Sequence, residues 1–148
     1  MNTYLFTYET KIEASLEEVW SFFSTAENLV KITDFPTITL HSNPLTSEGN
    51  TIQMKIGVGP IKANWHSYIE EVKPLEYFID VGVKVPFSIH SWRHKHAFVS
   101  LPNHTLMKDT VEIQSTLPSI ILKTALKKMF TGREKAVQLH FLSEKKPE

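Results

Sequence analysis

The chain has 148 residues and no net charge, because 16 Lys and Arg balance 16 Asp and Glu. A chain of this length predicts one domain that buries enough surface to build its own core. Its aromatic content of 11% excludes a disordered chain. The balanced charge argues against a nucleic-acid partner. The absence of cysteine excludes disulfides, thiolate metal sites and cysteine nucleophiles.

The sequence shows no boundary between domains, so we treat residues 1–148 as one domain with a polar tail at 143–148 that is expected to fray. The first residues lack the basic region of a signal peptide, and Glu9 interrupts any apolar run. The most apolar helical segment, Leu117–Phe130, contains three lysines, and no run reaches the roughly 18 residues of a membrane span. These features predict a cytoplasmic protein without stable membrane insertion.

The chain begins with a strand and two short helices. Alternating apolar residues predict a strand over residues 4–12. Ser15 lies three residues before Glu18, a spacing typical of a capping box, and predicts a helix over residues 15–24. The apolar pattern that follows predicts a second short helix over residues 26–32.

Six further strands and one long helix follow. The strands are predicted over residues 38–41, 52–58, 61–69, 77–83, 89–100 and 105–115. Pro118 suits the first turn of the final helix, which we expect over residues 119–142. Gly132 lies inside this helix and should weaken it by about 1 kcal/mol relative to alanine. We expect a kink or a close backbone approach at this glycine.

This order of elements predicts an α+β fold in which a seven-stranded antiparallel sheet wraps around the long C-terminal helix. The sheet must bury its apolar face, and the C-terminal helix is the only predicted element large enough to cover it. A curved sheet around a single helix leaves space between the two. The two short helices follow the first strand.

The order also resembles the helix-grip fold of the START/Bet v 1-like (SRPBCC) superfamily, and in particular a bacterial ligand-binding branch of it. The residues that carry the resemblance are residues 15–33, Glu48-Gly49, Trp65, Ile69-Glu70-Glu71, Phe78-Ile79-Asp80, Pro86-Phe87, Trp92-Arg93-His94-Lys95-His96-Ala97-Phe98, Thr105-Leu106-Met107-Lys108-Asp109 and Phe130-Thr131-Gly132-Arg133. The string over residues 92–98 is the most specific of them. The resemblance implies an internal cavity for an apolar small molecule. In this superfamily some members are enzymes and many only bind.

Polar residues interrupt the faces that we expect to be buried. Strand alternation places Trp92, His94 and His96 on one face, together with a further aromatic residue. It places Met107 and Asp109 on one face of the next strand, beside β-branched residues. Histidines and a carboxylate among such neighbours indicate a polar cluster in or beside an internal cavity.

Arg133 lies four residues after Met129 on the apolar stripe of the final helix. An unpaired buried charge is costly. We therefore predict that Asp109 and Arg133 approach within salt-bridge distance across the interface of sheet and helix, with His94 or His96 beside one of them. We expect this cluster to contact a ligand in or beside the cavity. The alternative is that the salt bridge is purely structural and only fixes the helix on the sheet.

Three functions fit these residues. The first is binding of an apolar or amphipathic small molecule, such as a lipid, polyketide or aromatic metabolite, in the cavity. The predicted contact residues are Trp65, Trp92, His94, His96, Met107, Asp109, Met129 and Arg133. The second is an enzyme of cyclase or dehydratase type, in which His94 or His96 acts as acid–base and Asp109 orients it. The third is a protein-interaction module, since some members of the superfamily bind chaperones.

A metal site is the weaker hypothesis for the histidines. A His-x-His pair such as His94 and His96 can chelate zinc from a strand, with Asp109 as a third ligand. His90 would lie about 13 Å from His94 along an extended strand, too far to join them. We therefore predict no metal and no cofactor, and for Trp65 we expect either a cavity wall or a filled core.

Overall fold

The structure is a computed structural model that describes residues 2–86 and 88–144. Within these residues the chain forms seven strands and three helices, and this confirms the predicted α+β helix-grip fold. The elements are β1 (Asn2–Ile12), α1 (Leu16–Phe22), α2 (Ala26–Lys31), β2 (Thr37–Leu40), β3 (Thr51–Val58), β4 (Ile61–Lys73), β5 (Tyr77–Lys84), β6 (Ile89–Leu101), β7 (His104–Ser115) and α3 (Ser119–Glu144).

The described strands form one antiparallel sheet in the order β1-β7-β6-β5-β4-β3-β2. Strands β2 to β7 follow one another as hairpins, and β1 closes the order by pairing with β7. The β4–β5 ladder shifts register between His66 and Ser67 and again between Ile69 and Glu71. Such irregularities bend strands and increase their twist, which curls the sheet around α3.

Local sequence explains where α1 begins. Ser15 Oγ accepts a hydrogen bond from the Glu18 backbone N–H, and the Glu18 carboxylate accepts one from the Ser15 N–H. The predicted capping box is therefore confirmed. Trp20 and Phe23 pack their rings against Phe98 of β6, with centroids 5.2 and 5.9 Å apart, and so fix the short helices on the sheet.

The final helix α3 extends two residues beyond the predicted end, because residues 143 and 144 are helical. These two residues belong to the predicted polar tail, whose fraying stays a prediction, and residues 145–148 lie outside the described residues, as does Phe87 of the resemblance. The helix continues through Gly132, where an added Cβ would meet nothing within 4 Å. The expected close approach at Gly132 is therefore wrong, since this face of the helix is open, and the expected kink stays a prediction.

The buried apolar residues divide into separate clusters rather than filling the whole interior. One cluster joins α1 to the C-terminal half of α3 around Val19, Val137 and Phe141. Another joins β1 and β7 to the middle of α3 around Val111 and Phe130. Between these clusters, the concave face of β3 to β6 and the N-terminal half of α3 enclose unfilled space.

Candidate functional site

The unfilled space is a cavity of about 340 Å³, which we call the central cavity. Its lining is mostly apolar. Its polar members are Thr25, Thr46, Ser67, Asp80, His94, His96 and Arg133. Trp65 and Trp92 pack edge to face in its wall, with ring centroids 4.9 Å apart, and the indole N–H of Trp65 donates to Ser67. Trp65 therefore forms part of the cavity wall. This is one of the two alternatives, cavity wall or filled core, that the sequence left open for it.

Two histidines stack in the wall of the central cavity. Alternation along β6 turns both His94 and His96 inward, and they are 4% and 3% exposed. Their ring centroids lie 3.6 Å apart with 25° between the planes. Phe78 of β5 stacks on His96 at 4.0 Å. The pair is therefore held between an aromatic ring and the cavity.

Each histidine is bonded to a carboxylate on a neighbouring strand, and the two bonds cross. In the ladders Asp109 lies opposite His96, and Asp80 lies opposite His94. The hydrogen bonds run the other way: His94 Nε2 lies 2.7 Å from Asp109 Oδ1, and His96 Nε2 lies 2.6 Å from Asp80 Oδ2. Diagonal partners across a ladder are within reach of side chains of this length. We call these four residues the crossed His–Asp cluster.

The carboxylate partners determine which nitrogen of each histidine carries a proton. An ionised carboxylate only accepts, so Nε2 of each histidine is the donor. Burial lowers the pKa of His96, and the neighbouring His94 lowers it further, against the opposing effect of Asp80. His96 is therefore neutral near pH 7, and its Nδ1 carries a lone pair. Asp109 Oδ1 lies 3.4 Å from His96 Nδ1, and two acceptors cannot form a hydrogen bond, so this nitrogen is buried without a partner.

Asp80 is ionised despite its position in the cavity wall. Burial alone would raise the pKa of its carboxyl group. The hydrogen bond from His96, with smaller contributions from the charges of His96, His94 and Arg133, outweighs burial, so the pKa lies below its usual value. Asp80 thus remains an acceptor for His96 throughout the neutral range.

Arg133 is bonded to a threonine just after α2 and not to a carboxylate. Its Nε donates to Thr33 Oγ1 at 2.7 Å, and among the described residues it forms no salt bridge. The predicted Asp109–Arg133 salt bridge is therefore wrong. The physical reason is that His94 already occupies Asp109 Oδ1, while Thr33 directs the arginine towards α2. The prediction that a histidine lies beside Asp109 is confirmed.

The guanidinium of Arg133 remains charged in this setting. Burial lowers its pKa to about 10, with Asp109 and Asp80 acting in the opposite direction. A pKa of about 10 leaves the group cationic near pH 7. A cation with its charge only partly balanced therefore lies in the wall of the central cavity.

The structure brings most of the predicted contact residues together. The residues that line the central cavity are Trp65, Trp92, His94, His96, Met129 and Arg133. Met107 and Asp109 do not line it and lie instead along a smaller recess beyond the histidines. Contact with a ligand stays a prediction for all of them.

Sequence reasoning missed Asp80 and Thr33 as members of the site. Asp80 alternates with Phe78 on the inner face of β5, so the argument used for Asp109 was available for it as well. Thr33 follows the end of α2 and is bonded to Arg133, which is 100 positions away in the sequence. No local pattern indicates such a contact.

The cluster has the donor types of a metal site but not the arrangement of a preformed one. Asp80, His94 and His96 each offer one donor atom, all within 4.8 Å of one another. However, Asp80 and His96 are already joined by a hydrogen bond, and the two imidazole rings are stacked. An ion would have to break that bond and part the rings. His90 is exposed, and Asp109 is already occupied by the hydrogen bond from His94.

The fold and the cavity define a helix-grip protein, and solved structures with this architecture are those of START and Bet v 1-like proteins. A START superfamily protein from Mycobacterium smegmatis superposes with a TM-score of 0.72 at 11% identity, covering 94% of this chain and 97% of that one. The major latex-like protein 151 of Panax ginseng gives 0.74 at 13%, covering 95% and 98%. Norcoclaurine synthase from Thalictrum flavum gives 0.71 at 12%, covering 99% and 90%.

Identities this low establish the fold alone. No protein-family model matches the sequence, and no curated protein matches it either. Among the described helices, none is both long and apolar enough to cross a membrane.

Proposed function

We propose that this protein binds an apolar or amphipathic small molecule in the central cavity. The observation that carries the proposal is an apolar cavity of about 340 Å³ with a few polar side chains gathered on its wall. Binding sites for small molecules are concave and mostly apolar, and a few placed polar groups fix the orientation of the ligand. The central cavity has this composition.

The cavity has a path for entry. Ile121 and Ala125 belong to its lining and are also exposed at the surface of α3. The cavity therefore opens beside the N-terminal half of α3. A ligand can enter there without unfolding of the sheet.

The comparisons support the same class of ligand. The structure of norcoclaurine synthase holds dopamine and hydroxybenzaldehyde, so a helix-grip protein of similar shape accommodates small aromatic molecules. For this chain a lipid, a polyketide and an aromatic metabolite all remain within the proposal.

An enzyme of cyclase or dehydratase type is the second candidate. It is favoured by the hydrogen bond from His94 to Asp109, because a carboxylate that holds one imidazole nitrogen leaves the other available for acid–base chemistry. His94 Nδ1 forms no hydrogen bond among the described residues, although Asp80 Oδ2 lies 3.8 Å away, and His94 lines the cavity. A chaperone-binding module would be favoured by a filled cavity, and the open cavity does not support it.

We also propose a cytoplasmic location and no nucleic-acid partner. The zero net charge supports the second point, because a nucleic-acid-binding domain usually carries a basic excess. The absence of cysteine is compatible with a reducing compartment.

The binding proposal is tested with N-phenyl-1-naphthylamine, an uncharged dye that fluoresces in apolar surroundings. We expect saturable binding to the protein, and at least a tenfold loss of affinity in Ala125→Phe, which places a ring in the opening. Leu139→Phe is the matched control, because Leu139 is 67% exposed on the same helix and does not line the cavity. Absence of dye binding, or equal binding by Ala125→Phe, would contradict the proposal.

A further inference from the structure

We infer that the ligand of the central cavity is an amphiphile with a carboxylate head group, and that Arg133 binds this carboxylate. The inference rests on the proposed function and adds the chemical class of the ligand. It follows from the hydrogen-bond donors that the protein leaves free in the cavity wall and from the charge of the surface next to the opening.

Arg133 has more donors than the protein uses. A guanidinium carries five N–H donors in a fixed planar arrangement. Its Nε donates to Thr33, and among the described residues no acceptor is bonded to either terminal nitrogen. The edge formed by the two terminal nitrogens therefore has the geometry for two parallel hydrogen bonds to a carboxylate.

The guanidinium is held in place for such a contact. Thr33 Oγ1 accepts from Arg133 and itself donates to the Leu29 carbonyl oxygen at 2.6 Å, so the threonine is fixed at both ends. Phe130 lies beneath the guanidinium, with its ring centroid 5.5 Å from Cζ. A fixed arginine loses less freedom on binding than a mobile one, and this favours the contact.

The neighbouring carboxylates form no salt bridge with Arg133. Asp109 accepts from His94, Asp80 accepts from His96, and neither lies within salt-bridge distance of the arginine. Asp80 is the one carboxylate in the described lining, and its negative charge should weaken the binding of an anion. The inference therefore predicts opposite effects for removal of Arg133 and removal of Asp80.

The surface next to the opening is positive. A groove on the outer side of α3 is lined by Lys123, Lys127, Lys128 and Lys135, with Asp34 as its one acidic residue in the described part. Among the described residues these four lysines form no salt bridges. The groove meets the central cavity at Phe35 and Met129, which line both. Such a surface attracts anions towards the opening.

The experiment compares decanoate, decan-1-ol and decylamine, which share a ten-carbon chain, as competitors of N-phenyl-1-naphthylamine near neutral pH. Hydrogen bonds to charged groups contribute enough for at least about a tenfold gain in affinity. We therefore expect decanoate to compete at least tenfold better than the alcohol, and the amine to compete worst.

Three variants test the residues. Arg133→Gln should remove the preference for decanoate over decan-1-ol. Arg93→Gln is the matched control, because Arg93 is the other arginine of the chain and pairs with Glu70 at the exposed side of β6. Asp80→Asn keeps an acceptor for His96 and should strengthen decanoate binding several-fold.

The outcomes separate the two proposals. If the dye does not bind, the proposed function fails. If the dye binds, the inference is overturned by three results: decanoate without an advantage over the alcohol, the amine as the best competitor, or a preference for decanoate that persists in Arg133→Gln. Dye binding by Arg133→Gln also shows that this variant is folded.

Discussion

His94 donates to Asp109 at 2.7 Å, although the residue opposite His94 on β7 is Val111. With the second crossed bond, from His96 to Asp80, the three adjacent strands β5, β6 and β7 are joined by side chains in the wall of the cavity. The two rings are stacked, and among the described residues His94 Nδ1 forms no hydrogen bond, with Asp80 Oδ2 3.8 Å away. The cluster thus combines a structural link with a group that is free for chemistry.

Because Asp109 accepts a hydrogen bond from His94, different substitutions at position 109 should change the free energy of unfolding by different amounts. Asp109→Ala leaves a buried imidazole N–H without an acceptor, and we expect a loss of about 1–3 kcal/mol in the free energy of unfolding. Asp109→Asn keeps a carbonyl acceptor and should lose less than about 1 kcal/mol. Urea denaturation measures both values.

Glu112→Ala is the control for this prediction, since Glu112 lies exposed on the same strand and should change stability little. Equal effects of Asp109→Ala and Asp109→Asn would show that the hydrogen bond to His94 does not contribute.

The buried histidine predicts that acid destabilises the protein. Burial and His94 lower the pKa of His96 in the folded state below its ordinary value of 6.5, so the unfolded chain binds more protons as the pH falls through 6.5. Stability should therefore be complete above this pH and decline below it, with a further loss from Asp80 as the pH falls below 3.8, the ordinary pKa of that group. Denaturation with urea at several pH values measures the slope.

His96→Gln should flatten this pH dependence, because glutamine can donate to Asp80 without titrating. His41→Gln is the comparison, since His41 is exposed. A slope that is the same in His96→Gln and in the unchanged protein would rule out His96 as its source.

The position of Arg133 predicts a weak energetic coupling to Asp109. Breaking a buried salt bridge costs about 3–5 kcal/mol, but these two residues form none. In a double-mutant cycle with Arg133→Met and Asp109→Asn, we expect a coupling energy below about 1 kcal/mol. A coupling of several kcal/mol would indicate that the two side chains pair in solution.

The open face of α3 at Gly132 predicts a stabilising substitution. An added methyl group meets nothing within 4 Å, and alanine has the higher helix propensity, so Gly132→Ala should stabilise the protein by about 0.5–1 kcal/mol. Gly59→Ala should do the opposite, because Gly59 has φ +60°. Thermal denaturation distinguishes the two, and a loss of stability in Gly132→Ala would contradict the helix geometry at this site.

The sequence by itself determined the elements and the faces of the strands. Apolar alternation and the Ser15–Glu18 capping box are local patterns, and they placed the strands, the helices and the inward-facing His94, His96 and Asp109 correctly. These features depend on backbone periodicity, which neighbouring residues set within a few positions. The resemblance to the helix-grip superfamily added the cavity between sheet and helix.

Only the tertiary structure decided which polar groups meet. The partner of His96 is Asp80 rather than Asp109, and the partner of Arg133 is Thr33 rather than a carboxylate. Each of these pairs depends on strand register and on how α2 packs against α3, and hydrogen bonds between residues distant in sequence leave no local pattern. A buried charge needs a partner, and this can be deduced from the type of residue alone. The packing of the whole chain determines which partner lies within reach.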